Sequence, residues 1–169
     1  SAHREENIDL KNNFKVLVAS LNAVAEEYQK PIIFSVHPRT KNRIIKEKIT
    51  FHPLIKNISP LGFFDYVKLQ QSSFVVLSDS GTISEESAMM GFPAVSIRTS
   101  TERPEAIDAG TIVLGGINTD QILNSIEIIR DMSKYSITDL PWEYNVINSS
   151  ERVVKVIQSY TSIVHNSHS

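Results

Sequence analysis

Apolar residues recur at three- and four-residue steps through Leu10, Phe14, Leu17, Val18, Leu21, Val24, Ala25 and Tyr28, the period of one helix face, and the pattern stops near Lys30-Pro31. The spacing predicts an amphipathic helix that begins after Asp9. Ile32-Ile33-Phe34-Ser35-Val36 then reads as a strand running out at His37-Pro38-Arg39, and a basic surface helix is expected over about residues 40–48. Residues 55–58 form a short strand candidate, and 63–70 a helix with its aromatic residues on the inner face. The run Phe74-Val75-Val76-Leu77 is short, β-branched and uncharged, as a buried parallel strand should be. Beyond it, a helix starting near Thr82 closes at Gly91 with a left-handed cap, and Pro93 opens a strand over 94–97. A polar loop follows over 99–105, with a short helix at 105–108 and a strand over 111–114 ended by Gly115-Gly116. Asn118 with Gln121, and Asn148 with Glu151, read as capping boxes for two further helices. The first runs to about residue 132, and the second passes through Val153, Ile157, Tyr160 and Val164. Residues 133–146, with the only tryptophan, Trp142, read as irregular.

Strands that alternate with helices predict an α/β fold, a Rossmann-like parallel sheet with helices on both faces and ligands at the carboxyl ends of the strands. The polar segments 1–6, 37–39, 79–86 and 98–105 would then gather on one edge. That edge is the candidate site.

At its centre lies Ser78-Asp79-Ser80-Gly81-Thr82-Ile83-Ser84-Glu85-Glu86, a strand end, a tight turn and a helix start. Thr82 with Glu85 predicts a capping box, and Gly81 allows close backbone approach at the bend. Free N–H groups at the helix start, beside the hydroxyls of Ser80 and Thr82, suit a phosphate or diphosphate. Glu86 remains to accept hydrogen bonds, and paired ribose hydroxyls are a natural partner. Junctions of this composition also occur in α/β proteins that bind nothing there.

Size and charge narrow the field further. A chain of 169 residues, 41% hydrophobic and 21% charged, fits one globular domain spanning residues 1–169. A net charge of −2 gives no pull toward nucleic acid or an anionic membrane. Without cysteine there are no disulfides or thiolate metal sites, and a cytoplasmic location is expected. No apolar run approaches the length of a membrane span. Ser1-Ala2-His3-Arg4 reads as the loop after a strand that is not here, so the chain is expected to be a fragment of a longer protein.

Several side chains could reach an anion on that edge. His3 and Arg4 follow the presumed strand end, and Arg103 sits in the rigid Glu102-Arg103-Pro104-Glu105 loop, where its planar fork could bind two oxygens. Against this, His3-Arg4-Glu5-Glu6-Asn7 could be a charged terminus, and Arg103 a surface ion pair. His37 is expected to be structural. His52, His165 and His168 have no metal-site spacing, and no metal is expected. Glu85 and Glu86 point to different faces of one helix and should not act as a dyad.

Taken together, His3-Arg4-Glu5-Glu6-Asn7, the central stretch, Gly91-Phe92-Pro93, Thr101-Glu102-Arg103-Pro104-Glu105 and Ala109-Gly110-Thr111 resemble the carboxyl-terminal half of the non-hydrolysing UDP-N-acetylglucosamine 2-epimerases. Their order and spacing hold to about residue 130. Leu61-Gly62-Phe63-Phe64-Asp65-Tyr66 and Tyr144-Asn145-Val146 are similar to the UDP-N-acetyl-L-fucosamine synthase branch, which serves bacterial capsule and O-antigen pathways.

The resemblance implies the carboxyl-terminal domain of a two-domain glycosyltransferase-B fold, with the amino-terminal domain absent and a homodimer as the full-length enzyme. It implies a UDP-sugar as substrate and no cofactor. By position, Ser80, Gly81 and Thr82 would hold the diphosphate, Glu86 the ribose and Arg103 a phosphate. Arg4 and Tyr66 would also bind UDP or substrate, and His3 would act catalytically near the leaving group. Two departures stand out: Leu61 occupies a position that is glutamine in some members, and Glu5 one that is arginine in members regulated by their own substrate. A glycosyltransferase of the same architecture and a nucleotide-sugar sensor are the competing readings.

Overall fold

The computed structural model of the protein describes residues 1, 2, 4, 7, 11–98, 112–133, 144, 145 and 147–167. Its elements alternate along the chain: α1 (Lys11–Tyr28), β1 (Ile32–Ser35), α2 (Pro38–Lys46), β2 (Ile55–Ile58), α3 (Phe63–Gln71), β3 (Val76–Ser78), α4 (Ile83–Met90), β4 (Ala94–Ser96), β5 (Ile112–Leu114), α5 (Thr119–Ser133) and α6 (Ser149–Ser167). Every described strand pair is parallel. Ile32 of β1 lies opposite Ile55 of β2, and Val76 of β3 opposite Ala94 of β4, which in turn faces Ile112 of β5. Parallel neighbours cannot be joined by a hairpin, and α2 crosses over between β1 and β2 as α4 does between β3 and β4.

The faces of β4 show why Ala94, Val95 and the following Ile97 are apolar. Val95 and Ile97 pack into a core with Phe14, Leu17 and Leu21 of α1 and Ile122 and Ile126 of α5. Ala94 turns the other way and joins Val76, Ile83, Phe92 and Ile112. Side chains that alternate across a sheet covered on both sides have no solvent face on which to be polar. Where α1 meets α5, the Ser20 hydroxyl donates to the Ile117 carbonyl at 3.1 Å and shares a 3.0 Å hydrogen bond with the Thr119 hydroxyl.

Two glycines are set by geometry. Gly91 ends α4 at φ 69°, the expected left-handed cap, while a Cβ on Gly115 would stand 2.6 Å from Val95 Cγ1.

Some expectations need correction. The second helix begins at Pro38 rather than residue 40, because His37 caps it, its Nδ1 accepting from the Arg39 N–H at 3.4 Å. That is the structural role expected of His37. The strand expected over 74–77 pairs only over Val76–Ser78, since its partner ladder starts where the Val76 N–H meets the Pro93 carbonyl at 2.9 Å. Phe63 and Phe64 do not face inward; they are 75% and 86% exposed. The inner face of α3 is Tyr66 and Gln70, four residues apart, and the two phenylalanines precede it at the open start of the helix.

The expected helix at 105–108 and Trp142 lie outside the described residues. Among the described residues, no helix is long and apolar enough to cross a membrane.

Candidate functional site

The first residues of the chain are tied to the carboxyl end of β3 through one buried carboxylate. Asp79 is 2% exposed, and its Oδ2 accepts from the Arg4 backbone N–H at 2.9 Å and from Asn7 Nδ2 at 3.0 Å. The Asp79 carbonyl accepts from Arg4 Nε at 3.0 Å. Asp79 therefore holds the Arg4 backbone with its carboxylate and the Arg4 guanidinium with its main-chain carbonyl, beside the turn that follows it. Sequence reasoning gave Asp79 no role. An acid at the end of an apolar strand reads as solvent-facing until the partner segment, more than seventy positions away, is known to return to it.

The turn organises itself with hydroxyls. Ser78 Oγ accepts from the Ser80 N–H at 3.1 Å, Ser80 Oγ from the Thr82 N–H at 3.3 Å, and the Ser80 and Thr82 hydroxyls are 3.0 Å apart. The expected capping box is absent. Thr82 occupies the N-cap position of α4, but its hydroxyl donates to Glu86 Oε1 at 2.6 Å and makes no side-chain cap. The physical reason is the backbone: at φ −90° and ψ −2° Thr82 is already near-helical, and a capping side chain needs the extended conformation to reach back to the first-turn N–H groups. Those groups gain no acceptor from the Thr82 side chain.

Glu86 is held at both oxygens, Oε1 by Thr82 and Oε2 by Gln70 Nε2 at 2.8 Å. Each carboxylate oxygen can accept a second hydrogen bond, so the group is oriented without being exhausted. Gln70 is 3% exposed and links α3 to α4 there. Tyr66, one turn earlier on α3, hydrogen-bonds Ser1; burial raises its phenol above the ordinary value, and the bond to Ser1 opposes that shift.

A second residue that sequence reasoning left without a role is Arg98. It follows β4, is 7% exposed, and places Nη1 3.9 Å from where a Cβ on Gly81 would stand. Its Nε has no hydrogen-bond partner among the described residues. A buried guanidinium is costly unless an anion meets it, and the open space over Gly81 is where one would sit. The signal available in sequence was its place directly after an apolar strand.

Thus Arg4, Tyr66, Ser80, Gly81, Thr82 and Glu86 come together as expected, with Asp79 and Arg98 added. His3 and Arg103 lie outside the described residues.

The Ser1 nitrogen sits at the rim of this cluster, donating to the Leu77 carbonyl at 2.7 Å.

The fold is a parallel α/β unit of glycosyltransferase-B type, with a hydroxyl-rich turn at the end of β3. The sequence profile described as UDP-N-acetylglucosamine 2-epimerase matches residues 1–158. The UDP-N-acetylglucosamine 2-epimerase of Methanocaldococcus jannaschii is 33% identical over 161 residues, covering 92% of this chain and 42% of that protein. Its solved structure with UDP-GlcNAc and UDP superposes with a TM-score of 0.79 at 32% identity, covering 94% of this chain and 44% of that one. The corresponding enzyme of Rickettsia bellii gives 0.77 at 34% identity, over 97% and 44%. The chain belongs to the UDP-N-acetylglucosamine 2-epimerase family and spans less than half the length of these relatives.

Proposed function

We propose that this chain is the nucleotide-binding, carboxyl-terminal half of an enzyme that inverts C2 of a UDP-N-acetylhexosamine. In this reading a base removes the C2 proton while UDP leaves C1, a 2-acetamidoglycal is retained, and UDP returns after C2 is reprotonated on the opposite face. The part played here is to hold UDP. As the C1–O bond breaks, negative charge grows on the diphosphate, and fixed donors are most effective when aimed where charge develops. The open start of α4, the Ser80 and Thr82 hydroxyls, Arg4 and the buried Arg98 supply such donors, with Arg103 and His3 completing the set. Tyr66 borders the substrate and Glu86 receives the ribose.

The observation that carries the reading is the turn itself: Thr82 leaves the helix start uncapped while Arg98 lies buried under Gly81 without a partner for Nε among the described residues. The UDP-N-acetylglucosamine and -mannosamine pair is one candidate substrate. The 6-deoxy pair of the fucosamine synthase branch, in bacterial surface polysaccharide synthesis, is the other, supported by the Leu61 to Tyr66 run.

Glu86→Gln tests the placement of the ribose. The amide keeps a single acceptor oxygen, so UDP affinity should fall about tenfold or more, as for loss of a hydrogen bond to a charged group. Pyrophosphate affinity should change by less than about twofold, since it has no ribose. Equal losses for both ligands in calorimetry would leave Glu86 a support for α3 and α4 only.

A further inference from the structure

Of the described residues of α3, Gln70 alone is buried, at 3% exposure, although glutamine is mostly a surface residue. Its main chain is fixed by the end of the helix: the Gln70 carbonyl accepts from the Ser73 hydroxyl at 2.7 Å and from the Ser73 N–H at 3.2 Å. From that base Nε2 donates to Glu86 Oε2 at 2.8 Å, while the Thr82 hydroxyl donates to Oε1 at 2.6 Å. Glu86 is thus gripped from two sides.

Two features set the amide apart from a staple between helices. Its Oε1 is buried with no hydrogen-bond partner among the described residues, a cost that an unbranched apolar side chain of similar volume would not carry. A residue that only joined α3 to α4 would be better without it. The second feature is charge: Gln70 and Thr82 are neutral donors, so they fix both oxygens of Glu86 without pairing its charge, and each oxygen can still accept another hydrogen bond. A lysine or arginine at position 70 would spend that charge on an ion pair.

We propose that Gln70 is a positioning residue for the nucleotide, holding Glu86 in the rotamer that receives the ribose hydroxyls before the nucleotide arrives. The inference rests on the reading that places the ribose on Glu86. A mobile glutamate loses rotamer freedom when a ligand fixes it, whereas a side chain already fixed in the unbound protein does not lose that freedom again on binding. Gln70 acts only through Glu86. Its removal is therefore felt by a ligand that carries ribose and not by a bare diphosphate.

Calorimetry with UDP and with pyrophosphate, on the wild-type chain, Gln70→Met, Glu86→Ala and the double variant, is the test. Gln70→Met nearly keeps the volume of the side chain and removes its donor. It should lose about fivefold or more in UDP affinity and less than about twofold in pyrophosphate affinity, with Tm within about 4 °C of wild type. In the Glu86→Ala background the same change should cost UDP less than about twofold, because nothing is left to position. Should Gln70→Met fail to fold, Gln70→Glu reads the same ratio: it keeps the length, offers no donor when ionised and repels Glu86, so UDP should suffer at least as much. An undiminished preference for UDP over pyrophosphate in the Gln70 variant, with Glu86→Ala showing a loss, would overturn the role of Gln70 and leave it a staple. If Glu86→Ala also keeps the preference, the ribose reading fails and this inference with it. An equal loss of UDP affinity from Gln70→Met with and without Glu86 would overturn it as well.

Discussion

Asp79→Ala is expected to cost about 3 kcal/mol or more of stability and to weaken UDP binding at least about tenfold. The carboxylate is buried and receives the Arg4 N–H and Asn7 Nδ2 together. Removing it strands the Arg4 N–H against a void and leaves Asn7 Nδ2 only the longer 3.4 Å bond to the Ile97 carbonyl, and each buried unsatisfied donor costs about 1–3 kcal/mol. At this chain length that corresponds to a fall in Tm of roughly 6–12 °C. Binding suffers separately, because Arg4 loses the bond to its backbone N–H that sets its place beside the turn, although its Nε keeps the main-chain carbonyl. Asp79→Asn keeps one acceptor oxygen and should lie between wild type and alanine in both measurements. A loss below about 1 kcal/mol for the alanine variant would show that the first residues are not secured through Asp79.

The second large effect is an absence of turnover. Given a UDP-N-acetylhexosamine in deuterated water, the chain alone should neither exchange the C2 proton nor release UDP, while a protein restoring the amino-terminal half should do both. A carbon-bound proton must be taken by a positioned base, and inversion requires delivery from the opposite face. The carboxylates in this cluster are engaged, Asp79 with Arg4 and Asn7, Glu86 with Thr82 and Gln70. Both belong to one wall of the site. On the proposed reading, the other wall, and the exclusion of water that keeps the glycal from escaping, would come with an amino-terminal domain. Deuterium at C2 produced by this chain alone would return Glu86 and His3 to the roles of acid and base.

How far the site could be read from sequence follows from the range of each interaction. Periodicity is local, and α1, β2 and the Gly91 cap lie where the apolar spacing and the glycine predict them. The turn at residues 80–82 was legible for the same reason. Errors arose where a partner distant in sequence intervened. Thr82 is the exception: its near-helical backbone turns its hydroxyl to Glu86 four residues on, and only the hold of Gln70 on Glu86 comes from another element. Phe63 and Phe64 carry a hydrophobic signal that implies burial, yet the neighbours of α3 leave its first turn open. Asp79 and Arg98 each sit beside an apolar strand and look like polar strand ends. Their function depends on what returns to them from residues 4 and 7, or approaches over Gly81.

The placement of a diphosphate over residues 80–82 is tested most directly by titrating the chain with UDP and with uridine under one buffer and salt condition. UDP should bind at least about 100-fold more tightly than uridine, since two or more charge-assisted hydrogen bonds reach only the diphosphate. The preference should shrink as salt is raised, and in Gly81→Ala, whose added methyl occupies the space over the turn while the fold remains intact. Uridine binding as tightly as UDP, or a Gly81→Ala variant with undiminished preference, would contradict the diphosphate cradle.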